Sequence, residues 1–342
     1  MGIGLAAGFD PRLALVDPRS GLLGITPALV LAGLGYSVPL LLILFAHELG
    51  HYLMCRRYGL DASPPFFLPL ILPIQPYFVM PGTFGAVIKV REPIRDKRAL
   101  FDMAVAGPIA GFVVALPFAC YGILHTRLNF DPVPPDATLF GYPLVVKGLQ
   151  ILLTGHAFTS VQVLEHPTFF AAWFGFLVTA LNLLPAGQLD GGHTLFAVSP
   201  TAHKALRWPL VAVLAAAGWF LFPGWGLWAV IVIVLSRFGR AQLRDAETPL
   251  DPRRRAVAVL VLVIFVVSLV PVPYRFGSDL APLRPPREGG GTVVQELHLH
   301  RRPEAPGRHD DPRGAKHREV APEERPRLVG ARRPLEAGSP PA

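Results

Sequence analysis

The sequence predicts an all-α polytopic membrane protein with about six transmembrane helices, a short membrane-associated β-hairpin or strand, and a disordered C-terminal tail. Three observations predict it. Hydrophobic residues make up 51% of the 342-residue chain and charged residues only 16%, against roughly a quarter charged in an ordinary soluble domain. Mean hydropathy is +0.43, and the apolar residues arrive in long runs instead of short periodic stripes, so the solvent that suits them is lipid. The run AVAVLVLVIFVVSLVPV at 256–272 holds no charge and approaches the roughly 20 apolar residues that span a bilayer core.

Segments suited to spans lie near 36–57, 101–123, 169–184, 207–222, 225–236 and 256–272. The apolar stretch 26–35 either lengthens the first span or forms a half-helix of its own. The segment 225–236 is short for a crossing and follows Pro223, Gly224, Trp225 and Gly226, which read as a tight hairpin; the alternative is one kinked span. Together 1–274 form a membrane domain. From 275 to 342 the chain is rich in Pro, Gly, Arg and Glu, a composition that buries too little apolar surface to fold alone. His298 and His300 in that tail are read as solvated residues.

Basic residues give the sidedness. Arg56 and Arg57 follow the first span, Arg91, Arg95, Lys97 and Arg98 precede the second, and Arg237, Arg240, Arg244 and Arg253 to Arg255 precede the last. By the positive-inside rule these loops are cytoplasmic, and the loop 125–166, with only Arg127 and Lys147, lies opposite. The net charge of +8 is therefore spent at headgroups and implies no nucleic-acid partner. Cys55 and Cys120 form neither a CxxC pair nor a disulfide framework. No cleavable signal pattern opens the chain.

Between the first two spans, 64–91 is apolar but broken by Pro64, Pro65, Pro69, Pro73, Pro76 and Pro81, which excludes a continuous helix. Its end, 82–91, alternates small and β-branched residues like a strand. Non-helical backbone at membrane depth is tolerated where it is buried in protein or lines a cavity, so a cavity is implied nearby.

The chemistry begins at His47, Glu48, Leu49, Gly50 and His51, at the end of an apolar run. On a helix both imidazoles share one face and can reach a single metal ion, with Glu48 beside it. Zinc suits such ligands, and it lowers the pKa of a coordinated water toward ~7, where a carboxylate can take the proton. A chance HExxH is the plain alternative, but three ionisable side chains in a lipid-embedded helix are costly enough to call for a function. The pair supplies two ligands and a hydrolytic site needs a third. Asp190 is the acidic residue of 169–200, directly after an apolar span, and the sidedness brings it to the face that holds His51. Taken alone, it reads equally well as a helix cap in a glycine turn; beside the HExxH it reads as a ligand.

These two stretches, HELGH at 47–51 and Asn182-x-x-Pro185-x-x-x-Leu189-Asp190-Gly191-Gly192, resemble the site-2 protease family of intramembrane zinc metalloproteases. Gly82 to Ala86 and Ala106 to Gly111 are similar to the branch of bacterial homologues and chloroplast egy-type proteins, without a PDZ-like insertion. The resemblance covers nearly all the hydrophobic region. It implies one zinc ion per chain held by His47, His51 and Asp190, water activation by Glu48, and a hold on substrate or oxyanion by Asn182. It also implies membrane-protein substrates, among them membrane-tethered transcriptional regulators, and a bacterial inner membrane with the site near the cytoplasmic face.

Asn182 reads equally as a cross-helix hydrogen-bonding residue. His193 reads as a satisfied polar residue at the membrane edge, with support of the metal as the alternative. Gly107 and Gly111 have the spacing of a close helix contact. Two other classes compete with an endopeptidase: a noncatalytic scaffold or chaperone, which has no need of Glu48, and a metal or ion transporter, whose polar groups would continue across the membrane. For an endopeptidase, the strand near 84–90 is expected to pair with an unwound substrate segment.

Overall fold

The computed structural model describes residues 15–16, 23–24, 27–69, 83–88, 90–128, 137–160, 163–237, 243–245 and 247–279. All lie in the first of two compact units, Met1–Leu283; the second, Arg284–Ala342, is outside the described residues, as are His298 and His300. Eight helices dominate the described part: α1 (Pro27–Arg57), α2 (Lys97–Leu124), α3 (Leu144–Thr154), α4 (Pro167–Asn182), α5 (Asp190–Val198), α6 (Pro200–Phe220), α7 (Gly224–Leu235) and α8 (Pro252–Ser268).

Among the described residues, two helices are long and apolar enough to cross a membrane, at Val30–Arg57 and Lys97–Leu124. The other four expected segments also form helices, of 16, 21, 12 and 17 residues. The stretch 27–35 continues α1 directly, through Pro39 in its interior, and α2 holds Pro108 and Pro117. Interior prolines of this kind are at home in membrane helices, where neighbours satisfy the freed carbonyls. The segments around Pro223 form two helices, α6 and α7, so the hairpin reading holds over the single kinked span. They pack so closely at Gly218 that a Cβ there would sit 2.5 Å from the Gly226 nitrogen.

Apolar side chains cover the outside as well as the inside. Leu31, Leu34 and Leu42 on α1, Trp219 and Phe220 on α6, and Val259, Leu262 and Val263 on α8 are all exposed. A surface of this kind suits lipid, and an ordinary water-facing monomer does not carry it.

The core joins α1, α2 and α4. Tyr36, Leu40 and Ile43 of α1 pack with Ala115 and Ala119 of α2 against Phe169, Phe170, Trp173, Phe174 and Phe176 of α4, all buried. The Trp173 Nε1–H donates to the Gly141 carbonyl at 2.7 Å, which satisfies its one polar atom. Asp96, Ser199 and Asp251 accept from the first turns of α2, α6 and α8, the side-chain caps expected of these residue types.

A polar cluster ties together one end of this bundle. Arg254, at the start of α8, donates to both carboxylate oxygens of Asp102 on α2, at 2.8 and 2.6 Å, and to Tyr58, which follows α1. Tyr58 in turn donates to Asp102 at 2.6 Å, and burial together with the Asp102 charge raises the phenol above its ordinary pKa. The ends rich in Arg56, Arg57, Arg95, Lys97, Arg98 and Arg253 to Arg255 are therefore one end of the fold.

Three corrections to the sequence reading concern connections. The loop expected at 125–166 contains α3, eleven residues ended by Gly155 in the left-handed conformation. At eleven residues it is too short to register as a span. Residues 275–279, expected as the start of the tail, are among the described residues, and Tyr274–Phe276 pairs antiparallel with Thr138–Phe140. The all-α expectation omits several short two-stranded ladders. Besides that pair, Ile94–Asp96 runs parallel to Leu243–Asp245, Leu15–Val16 pairs with Leu23–Gly24, and Arg127–Leu128 pairs with Val163–Leu164.

The expected strand or hairpin is present. We label its arms β1 (Phe66–Pro69) and β2 (Thr83–Val87), antiparallel in the register Phe66↔Val87, Phe67↔Ala86 and Pro69↔Thr83. Residues 70–82, between the two arms in sequence, are outside the described residues. Among the described residues β2 has no strand on its other side.

Candidate metal centre

Residues four apart on a helix lie one above the other, and α1 carries His47 and His51 on the face it turns toward α2 and α5. Contact with α2 is close because neither helix interposes a side chain. A Cβ on Gly50 would lie 2.5 Å from the Ala106 carbonyl oxygen, one on Gly107 would overlap the His51 imidazole, and one on Gly111 would press on His47 at 3.2 Å. The Gly107 and Gly111 spacing thus does more than pack helices: it clears the volume that the two imidazoles occupy.

Asp190 arrives from the other side. After α4 ends at Asn182, the chain turns through Pro185 and Gly187, whose φ is +54°. The first turn of α5 then folds back on that segment. Side chains at Gly191 or Gly192 would run into the carbonyls of Leu183 and Ala186. The helix cap is Leu189, which makes no side-chain hydrogen bond, so the Asp190 carboxylate is not spent on capping. It points back into the bundle.

There its Oδ2 lies 3.2 Å from His47 Nε2 and 3.3 Å from His51 Nε2. The three ligand atoms lie within 4.8 Å of one another, and among the described residues this is the group of His, Cys, Asp or Glu side chains placed to share a metal ion. Two features of the chain's own chemistry fit a metal. Bonds of roughly 2.0–2.1 Å at tetrahedral angles leave ligand atoms about 3.3 Å apart, the separation seen here from Asp190 to either imidazole. Second, His51 Nδ1 lies 2.7 Å from the Met103 carbonyl oxygen in a buried setting. A carbonyl only accepts, so the proton of neutral His51 sits on Nδ1 and the Nε2 lone pair faces the lone pairs of Asp190. Two acceptors aimed at each other are reconciled by a proton on Nε2 or by a metal ion between them.

Glu48 stands beside this group, half-buried, and among the described residues no hydrogen bond or ion pair engages its carboxylate. The Asn182 Nδ2 comes within 3.3 Å of His47 Nε2, at the rim of the same cluster. His193 lies on α5, half-buried, one turn past Asp190, and its side chain is not among the converging atoms. Sequence reasoning missed the Met103 carbonyl, a backbone atom that no residue pattern reveals, and the contact of Gly107 with His51.

The chain is similar to known proteins over the region that holds this cluster. Residues 35–222, more than half of the chain, match the model of Peptidase family M50. The chain is 30% identical over 254 residues, or 73% of its length, to a protein of Arabidopsis thaliana named probable zinc metalloprotease EGY2, chloroplastic, and covers 44% of that protein. To the EGY2 protein of Oryza sativa subsp. indica it is 28% identical over 246 residues, covering 70% of this chain and 43% of that one. To the Arabidopsis protein named probable zinc metalloprotease EGY1, chloroplastic, it is 29% identical over 248 residues, again 70% of this chain and 43% of the relative. The chain thus spans less than half the length of the curated relatives it matches. The region matched by the family model takes in both histidines and Asp190, and this chain belongs to peptidase family M50, the site-2 protease family.

Proposed function

We propose that this protein is a zinc-dependent intramembrane endopeptidase that hydrolyses peptide bonds in or near transmembrane segments of other membrane proteins. One observation carries the reading: Asp190, 143 residues from His47 in sequence, closes on both imidazoles at tetrahedral-edge distances. His47, His51 and Asp190 would hold one zinc ion. Bound there, zinc supplies Lewis acidity to a substrate carbonyl and acidity to a water molecule.

The remaining work belongs to side chains. Glu48, unengaged and adjacent, takes the proton of the attacking water and delivers it to the leaving amine. Met103 holds His51 in the tautomer that offers Nε2. Asn182 donates to the substrate carbonyl as its oxygen gains charge. A helical substrate hides its amides in its own hydrogen bonds, so it must unwind locally before cleavage. The free side of β2 offers backbone groups to the unwound segment, which would add as a strand. Membrane-tethered transcriptional regulators are substrates of the right chemistry.

The same reading makes all six segments from 36–57 to 256–272 spans of a multi-pass protein, with α6, α7 and α8 inserted beside α1 and α2. The site lies toward the end that gathers Arg56, Arg57, Arg98 and Arg254, the cytoplasmic face by the charge rule. The relatives are chloroplastic by name, which lends no support to the bacterial inner membrane anticipated from the resemblance.

The test is cleavage of a model transmembrane substrate by detergent-purified protein with measured zinc. Glu48→Gln should keep its zinc and lose at least about 100-fold in rate. Equal rates for wild type and Glu48→Gln would contradict the endopeptidase reading.

A further inference from the structure

A recess of about 170 Å³ opens between the start of α6 and the end of α7, lined by Gly187, His203, Lys204, Arg207, Trp208 and Ser236 among others. Its charge is one-sided. From 191 to 244 the chain contains Lys204, Arg207, Arg237, Arg240 and Arg244 and no Asp or Glu. Among the described residues neither Lys204 nor Arg207 takes part in an ion pair. The Ser236 hydroxyl is buried against this recess and finds no hydrogen-bond partner among the described residues. A buried hydroxyl left without a partner is costly, and two unpaired cations beside it define what would satisfy it: an anion with several acceptor oxygens.

The position of the recess narrows the ligand. The Arg207 guanidinium lies 5.2 Å from the centre of the Trp208 ring, and Trp208 is 62% exposed. Immediately beyond, Val213, Trp219 and Phe220 turn outward. Trp and basic side chains in this order, ahead of an apolar surface, mark the headgroup level of a bilayer. We propose that the recess binds a phosphate group, delivered by the headgroup of an anionic phospholipid.

The lipid phosphate accepts from Lys204 and Arg207, and from the Ser236 hydroxyl once that side chain rotates out of its buried position, while its acyl chains run along the exposed apolar face of α6. The recess is floored by the turn Pro185, Ala186, Gly187 and Gln188, which separates Asn182 from Asp190. An occupant therefore braces the segment that carries the third proposed metal ligand. The inference rests on membrane insertion and is independent of peptidase chemistry.

The test measures binding, so failure of the catalytic reading leaves it intact. Purified full-length protein in a neutral detergent is titrated with short-chain phosphatidylglycerol, with phosphatidylcholine of the same chains, and with inorganic phosphate, and lipid retention and thermal midpoint are read. Phosphatidylglycerol should bind and raise the midpoint, and each of Lys204→Gln and Arg207→Gln should weaken its binding about fivefold. Arg244→Gln, which lies off the recess, should not. Ser236→Ala serves as a second, uncharged probe and should also weaken binding. Inorganic phosphate equalling the lipid would support the phosphate site and reassign its source to a free anion. Binding unchanged in Lys204→Gln, Arg207→Gln and Ser236→Ala, or phosphatidylcholine matching phosphatidylglycerol, would overturn the proposal.

Discussion

His51 is held from both ends: its Nδ1 meets the Met103 carbonyl at 2.7 Å and its Nε2 faces Asp190 Oδ2 at 3.3 Å. The first contact fixes the tautomer and the second fixes the direction of the lone pair. In Asp190→Asn the shape persists but the anionic oxygen is gone. Zinc affinity, measured by competition with a chelator, should fall by more than about 100-fold, beyond the usual loss of a supporting outer contact. Unchanged affinity would mean that Asp190 is only a neighbour.

Gly107 should be far less tolerant than its place in an apolar helix suggests. A methyl group there enters the space of the His51 ring, whereas one at Gly111 meets His47 at 3.2 Å, a distance that a small shift relieves. Gly107→Ala should lower bound zinc and cleavage at least about tenfold, with Gly111→Ala closer to wild type. Equal zinc content in the two variants would remove the steric role assigned to Gly107.

Much of this centre was legible in the sequence, for physical reasons. His47 and His51 announce themselves because helical spacing makes them neighbours, and ionisable groups in an apolar run are conspicuous. Asp190 stands out as a lone carboxylate beside a glycine pair. The structure adds why the glycines are there, since Gly191 and Gly192 let α5 fold back on α4. Other features left no pattern to find. Helix α3 falls between the lengths that mark loops and spans, the Met103 contact uses a backbone atom, and the pairing of Tyr274–Phe276 with Thr138–Phe140 joins segments more than a hundred residues apart.

Strand β2 gives a test of substrate binding. Successive backbone amides of a strand point to opposite sides, so either Val87 or Ile88 directs its N–H away from β1. Val87→Pro and Ile88→Pro each delete one amide, and cleavage should fall about tenfold or more in at least one while zinc is retained. Normal turnover by both would exclude pairing of substrate along this edge.

At the other end of the bundle, Glu165 accepts a hydrogen bond from the Tyr142 hydroxyl at 2.5 Å. Burial pushes its carboxyl up to about 7, although that hydrogen bond favours the charged form. Because the folded state holds the proton more tightly, the Glu165 contribution to stability is fully present below about pH 4.5 and is lost as pH rises through about 7. Glu165→Gln should therefore flatten the decline in thermal stability between pH 5 and 8, by on the order of 1–3 kcal/mol. Parallel profiles for the two proteins would show that burial does not shift this group.

The most direct test of the centre is X-ray absorption at the zinc edge, recorded on detergent-purified wild-type protein. The account predicts one zinc per chain with two imidazole nitrogens and a carboxylate oxygen at roughly 2.0–2.1 Å, and loss of one imidazole contribution in His47→Ala. Absence of stoichiometric zinc, or a spectrum dominated by sulfur from Cys55 or Cys120, would contradict it.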